Sequence, residues 1–585
     1  MSSGVGGSWR SAGERRRGGF RSLCTALIAA ISLASPGASP GQSQGEQFAG
    51  NANLKEILAY IHNGWDSLTR STSSCGGVPD SKLSAAQVLY LPAELPQPQE
   101  LDQMQSRCGT KIERLPEAIH ELGTIDAASI RPPGLLYLKN KYVVPGGRFN
   151  EMYGWDSYFI IRGLLRDGRI DLARGMVENF FFEIENYGAV LNANRTYYLT
   201  RSQPPFLSSM VMAVHEAQKA AGQDDRAWME TAYNYVKRDH AMWTRAPHLA
   251  GNTGLARYYD FGTGPALEAL QDEGDTYRQV AAYFLLHPAT PPYAVDAADV
   301  PAGAASGAAY SVRVCGGAQS QAACEPERLI KLKPDYYKGD RSLRESGFDI
   351  SFRFGPYGAS THHFAPVCLN SLLFKTERDL EEMSRLVGNH SDQQQWHQLA
   401  EARQRAMQKY LWDERRGLFF DYNFDTSERS TYLYATTFYP LWAGLATPAQ
   451  ASAVMKNLSA LEQPGGLAMS TEDTQAQWDY PFGWAPIQLL AIEGMRRYGH
   501  DAEADRVSTE FLSTVLENFA RDKTIREKYD VVGRSSDTNV TAGYSANVVG
   551  FGWTNAAFVE LLHSLPPEKV ARLAEAIPPH PAGRQ

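Results

Sequence analysis

PGGRFNEMYGWDSYF, residues 145–159, is the stretch on which the reading of this chain turns. It crowds Arg148, Glu151, Asp156 and five aromatic rings into fifteen residues. An amphipathic helix would sort those types onto two faces, and a plain surface loop has little use for so many rings. Rings beside charged forks suit a flat, polar ligand, with planar faces to stack and groups to hold hydroxyls or charges. The stretch runs directly into a helical pattern at 157–168, so it reads as a chemically loaded loop at a helix entry.

Outward from there, helical periodicity dominates. Leu54, Ile57, Leu58, Ile61 and Trp65 mark an early amphipathic helix. Similar spacing recurs at 171–186, 207–221, 226–243, 377–389, 393–412, 448–460, 486–498, 502–518 and 554–564. Long Gly-, Pro- and aromatic-rich loops separate these segments, and long loops inside a domain usually carry function. Alternating strand patterns are scarce. The expected class is therefore all-α, a toroid of helical hairpins with its site at one end. Residues 43–130 read as an N-terminal extension packed on a catalytic domain at 131–567. Residues 286–325 read as a low-complexity surface insertion, and 568–585 as a C-terminal tail.

Residues 1–34 have a basic start (GERRRGGFR) followed by the apolar run SLCTALIAAISLA, the pattern of an export signal cleaved between 34 and 42. Its removal would take the net charge from −8 to about −12. That acidic balance, without a basic stripe, excludes nucleic acid as a partner. No later apolar run reaches membrane-spanning length. The expectation is a periplasmic or secreted monomer, off the membrane once processed, acting on a small molecule. In an oxidising compartment Cys315–Cys324 and Cys75–Cys108 are candidate disulfides, leaving Cys368 a buried thiol. The cysteine spacings fit no zinc site. The adjacent His362 and His363 are a poor chelating pair, so no metal and no cofactor are expected.

Four loops carry candidate chemistry: 145–159; LNANRTYYLTRSQPPF at 191–206; RESGFDISFRFG at 344–355; and IREKYDVV at 525–532 with GFGWTN at 550–555. Asp349 lies among Gly347, Phe348, Ile350 and Phe352, a setting expected to desolvate it and keep it protonated. Glu527, between Arg526 and Lys528, is expected to stay ionised. One protonated and one ionised carboxyl group are what glycosidic cleavage uses.

PGGRFNEMYGWDSY at 145–158 and QWDYPFGWAP at 477–486 match the two signatures of the trehalase family, glycoside hydrolase family 37. LNANRTYYLTRSQPPF, ESGFDISFRF, REKYD and GFGWTN resemble further family blocks in family order, so the likeness covers roughly 130–565. It implies an (α/α)6 barrel and hydrolysis of α,α-trehalose to two glucose molecules with inversion, in a bacterial exported form. Block by block, it implies Asp349 as general acid and Glu527 as general base. It implies sugar contacts at Arg148, Trp155, Asp156, Asn192, Arg201, Ser202, Gln203 and Gly347, with Glu268 in GPALEAL as a further ligand. Trp484 is a contact candidate from the second signature, and Glu151 reads as a structural partner.

The chain departs from the family pattern at three places. Ala266 stands where an arginine usually precedes the binding glutamate. Phe348 stands where tryptophan is common. RSSDTNVTAGYSANVV, 534–549, replaces a glycine-rich lid with its own glutamate. Ala266 and the altered lid raise one alternative, a family relative acting on another α-glucoside; a trehalose-binding protein without catalysis is a second, against which the presence of both Asp349 and Glu527 speaks.

Overall fold

The computed structural model describes residues 52–82, 87–272, 275–300, 307–313, 326–544 and 546–575. The export-signal reading, Cys315 and Cys324 lie outside the described residues. Six helices touch in a closed circuit: Asp156–Arg166, Leu207–Ala220, Val367–Val387, Tyr439–Trp442, Ala485–Arg497 and Gly552–Ser564, the last packing back on the first. Ile170–Asn186, Arg226–Trp243, His390–Tyr410 and Asp501–Asp522 each pack on the circuit helix before them. Ala52–Leu68 packs on Gly552–Ser564.

Burial follows that layering. Gly552–Leu562 is buried on every face without a break, as expected of a helix enclosed by others. The outer His390–Tyr410 helix buries Trp396, Ala400, Arg403 and Met407, a single stripe at three- and four-residue spacing. Circuit helices also approach closely. A Cβ on Gly163 would lie 2.7 Å from the Trp65 ring and 2.9 Å from Ala556.

The all-α expectation is corrected to mostly helical. Short strands pair throughout, among them Val88–Leu91 running parallel to Lys111–Arg114 and to Leu135–Leu136. The described strands hold two to five residues, too few for a period-2 pattern to stand out from background. Part of 286–325 also forms a sheet: Ala294–Asp296 and Tyr310–Val312 flank Arg328–Leu332. Val312, Ile330 and Leu332 pack against Tyr277, Tyr336 and Tyr337, so this segment is anchored to a core of its own. Cys75 and Cys108 form a disulfide, and Cys368 is a buried free thiol. No helix among the described residues is long and apolar enough to cross a membrane.

Behind the Asp349 loop, Arg353 donates from Nε and Nη2 to Asp421 at 2.7 and 2.6 Å, both residues being buried. Asp421 also accepts from the Val367 amide at 2.8 Å, at the entry to the 367–387 helix. Removing one partner strands a buried charge. Asp421→Ala is expected to cost about 3–5 kcal/mol of stability, read as a fall in the thermal midpoint followed by circular dichroism.

Candidate active site

The loops that precede five of the six circuit helices meet at one cavity. Residues 145–155 lead into the 156–166 helix and 191–206 into the 207–220 helix. Residues 346–366 lead into the 367–387 helix, 476–484 into the 485–497 helix, and 525–551 into the 552–564 helix. Arg148, Trp155, Asp156, Asn192, Arg201, Gln203, Glu268, Gly347, Asp349 and Glu527 all line this cavity.

Two expected contacts do not line it. Ser202 is buried, its Oγ donating to the Val190 carbonyl at 2.6 Å. Trp484 has no exposed surface: its indole N–H donates to the Gln477 carbonyl at 2.8 Å. Its ring lies flat on Trp478, with centroids 3.7 Å apart. Trp478, not Trp484, faces the cavity. Trp484 is turned inward because it ends the strand Phe482–Trp484, which pairs with Lys528–Asp530.

The two carboxylates sit differently from their sequence setting. Phe348 and Ile350 turn into the core, each 1% exposed. The Asp349 side chain is 30% exposed, with Arg344 Nη1 3.9 Å from its Oδ2, so its apolar neighbours do not bury it. Glu527, with a side chain 2% exposed, is the buried one. Lys528 Nζ lies 3.5 Å from its Oε2, and the Tyr544 hydroxyl donates to its Oε1 at 2.6 Å. Arg526 turns away to Asp522 and the Asn547 carbonyl. Burial, with the charges of Glu527 and Asp349 beside it, holds the Tyr544 hydroxyl well above the usual tyrosine range, so it remains a donor.

One side chain ties the two loops together. Gln477 donates from Nε2 to the Asp349 carbonyl and accepts from Lys528 Nζ at 3.3 Å. The Trp553 indole then donates to the Glu527 carbonyl at 3.0 Å. Trp155 is framed by Phe348, Trp478 and Trp553, with centroids 5.6–5.8 Å away. Its backbone N–H donates to Gln203 Oε1 at 2.9 Å, which gives Gln203 a positioning contact as well as a place on the wall.

Charge is gathered on the far side. Arg201 donates to Glu268 and, from Nε at 3.2 Å, to Asn192 Oδ1. Burial alone would raise Glu268, but Arg201 and Arg344 outweigh it and hold its carboxyl down to about 2. Asp156 goes the other way. Burial, reinforced by the nearby Glu527 and Asp349, pushes it well above the usual carboxylate range. The cavity thus holds one carboxyl held down by cations and another pushed up by burial and like charge.

Sequence reasoning missed Lys82, Tyr198, Arg344, Tyr544 and Trp553, all on the cavity wall. Arg344 and Trp553 stood inside quoted blocks without being singled out. Lys82 comes from the segment read as a packed extension, and nothing local to it signals a site. Tyr544 belongs to the 534–549 stretch that lacks the family's lid glutamate.

A sequence model of the trehalase family matches residues 43–328 and 332–566. The chain belongs to the trehalase family. A cytosolic neutral trehalase of Saccharomyces cerevisiae is 34% identical over 574 residues, spanning 88% of this chain and 72% of its own length. A probable trehalase of Eremothecium gossypii is 34% identical over 566 residues, spanning 85% and 71%. The solved structure of neutral trehalase Nth1 from Saccharomyces cerevisiae superposes with a TM-score of 0.71 at 31% identity, covering 90% of this chain and 97% of that one. These relatives are fungal, so the bacterial exported variety is not supported. Those whose names carry a location, including that of Emericella nidulans, are cytosolic. That finding overturns the expectation of a periplasmic or secreted protein.

Gly347 shows how tightly the wall is built. Its φ is +76°, and a Cβ there would meet the Trp155 ring at 3.0 Å. Gly347→Ala is expected to lower stability by about 1–3 kcal/mol through backbone strain and overpacking. A shifted tryptophan emission should accompany the lower melting midpoint; unchanged emission would contradict the contact.

Proposed function

We propose that this trehalase-family chain hydrolyses α,α-trehalose to two glucose molecules by single-step inversion, with Asp349 as general acid and Glu527 as general base. The observation that carries the reading is that both carboxylates, 178 positions apart by their numbers, enter one cavity walled by rings and guanidinia. The closed circuit of six helices with its outer partners supports an (α/α)6 barrel. A neutral disaccharide fits this wall: indoles for its C–H faces, Arg201 and Glu268 as ionised partners, and Asp156 as a further partner for a hydroxyl.

In this mechanism the Asp349 proton passes to the bridging oxygen as the glycosidic bond breaks. The freed sugar leaves with a full hydroxyl. Glu527 takes a proton from a water that attacks the anomeric carbon from the opposite face, which calls for carboxyl groups about 6.5–9.5 Å apart. The Tyr544 hydroxyl and the Lys528 ammonium hold Glu527 in place and favour its acceptor role. Arg344, beside Glu268 and Asp349, supplies positive charge on the side where Ala266 replaces the family arginine. Ala266 and the altered 534–549 stretch favour one second reading, a relative acting on a different α-glucoside.

Asp349→Asn and Glu527→Gln are each expected to lower kcat by about 10²–10⁴-fold or more while sugar binding persists. Near-normal turnover in both would refute the assigned roles. Proton NMR of the first products should show α- and β-glucose released in equal amounts from trehalose before mutarotation. Robust hydrolysis of maltose or kojibiose with none of trehalose would favour the second reading. Tyr544→Phe removes one hydrogen bond to a charged group, so kcat should fall by about 10- to 100-fold with KM little changed.

A further inference from the structure

Outside the sugar cavity, Asp335, His362 and His363 form a cluster with no part in the proposed reaction. Asp335 lies in the first turn of the Pro334–Glu345 helix. The histidines sit on the short turn Thr361–His363, which Arg257 fixes by donating to the His362 carbonyl at 2.8 Å. Asp335 Oδ1 is 3.0 Å from His362 Nε2 and 3.8 Å from His363 Nε2. The three donor atoms all lie within 4.8 Å of one another. Donors of a tetrahedral zinc ion, with bonds of about 2.0–2.2 Å, stand about 3.3–3.6 Å apart, which these separations bracket.

Sequence adjacency argued against these histidines as ligands, and the turn removes that objection. It places the two rings 3.9 Å apart at 41°, so both Nε2 atoms reach the same carboxylate. A second carboxylate then bears on the tautomer. His363 Nδ1 contacts Asp425 Oδ2; a neutral ring donating there must present a lone pair at Nε2, toward Asp335. A lone pair facing a carboxylate oxygen calls for a cation or a proton between them. A carboxylate behind a ligating imidazole is also the usual device for aiming it at a metal. His362 is nearly enclosed at 6% exposure, whereas Asp335 and His363 are 47% and 28% exposed. The cluster therefore has an anchored side and an open one.

We propose that Asp335, His362 and His363 bind one divalent transition-metal ion of the zinc type, with Asp425 orienting His363 and water completing the coordination. Two imidazoles and one carboxylate favour such an ion over calcium or magnesium, which take oxygen ligands. The site joins the 361–363 turn to the start of the helix whose far end carries Arg344, so occupancy should stiffen that junction. This inference does not depend on the proposed trehalose chemistry.

The test is calorimetric titration of the full chain with zinc chloride after chelator treatment, beside a melting curve with and without zinc. One saturable site per chain and a higher melting midpoint are expected. Asp335→Asn and His363→Ala should each abolish the site, and Asp425→Asn should weaken it by about 10- to 100-fold. Asp335 is half-exposed, so its variant should fold normally, checked by an unchanged zinc-free melting midpoint. No saturable uptake at millimolar zinc would overturn the proposal, and point to an imidazolium shared by two carboxylates. Uptake unaltered in Asp335→Asn and His363→Ala would also overturn it, placing the ion elsewhere.

Discussion

A carboxylate with no exposed surface must be met by positive charge, and Glu151 is met twice. Lys82 Nζ lies 2.5 Å from Oε1, and Arg195 Nη2 lies 3.0 Å from Oε2. Burial alone would raise the carboxyl, but the two cations outweigh it and hold Glu151 far below the usual range. Its contribution to stability is therefore complete above the ordinary glutamate value and lost only as strong acid reprotonates it. Arg195 further binds the Val78 and Pro79 carbonyls. One buried charge thereby gathers the 78–82 segment, the 145–159 loop and the 191–206 loop around one corner of the cavity. The segment before residue 130 helps to build the site rather than merely covering it.

The same logic, burial set against pairing, sorts the remaining carboxyl groups. Glu268 and Glu151 are surrounded by cations and stay charged. Asp156 is buried beside acidic neighbours that outweigh Lys82, and its carboxyl is pushed well above the usual range. Asp349 is the most open of the group, as suits the general-acid role proposed for it. Glu527 is enclosed between Tyr544 and Lys528, as suits the general-base role proposed for it. Gln477 spans both loops with one amide, so hydrogen bonds from a single side chain link the Asp349 loop to the strand that follows Glu527.

Much of the helical layout was legible. Arg226–Trp243 and Ile170–Asn186 fall where their apolar stripes put them, because outer helices show one face to the core and one to water. The first half of Val367–Val387 and all of Pro334–Glu345 and Tyr439–Trp442 gave no such signal. These segments are buried nearly all round, and a helix without a solvent face has no period to read. The short strands were hidden for a related reason, each being too brief to alternate.

The sequence by itself determined the family, the order of the loops and about half of the cavity's residues. Their identities are written in contiguous blocks, and each block is bound to the helix it precedes. Only the tertiary structure decided which residues face inward and how exposed each is. Trp478 and Trp484 share one motif, yet strand pairing with Lys528 turns Trp484 into the core and leaves Trp478 on the wall. Apolar neighbours in sequence suggested that Asp349 is buried, but those side chains point away from it. Lys82 and Tyr544 reach the site from distant or divergent segments, and no local pattern encodes a contact that packing creates between remote parts of the chain.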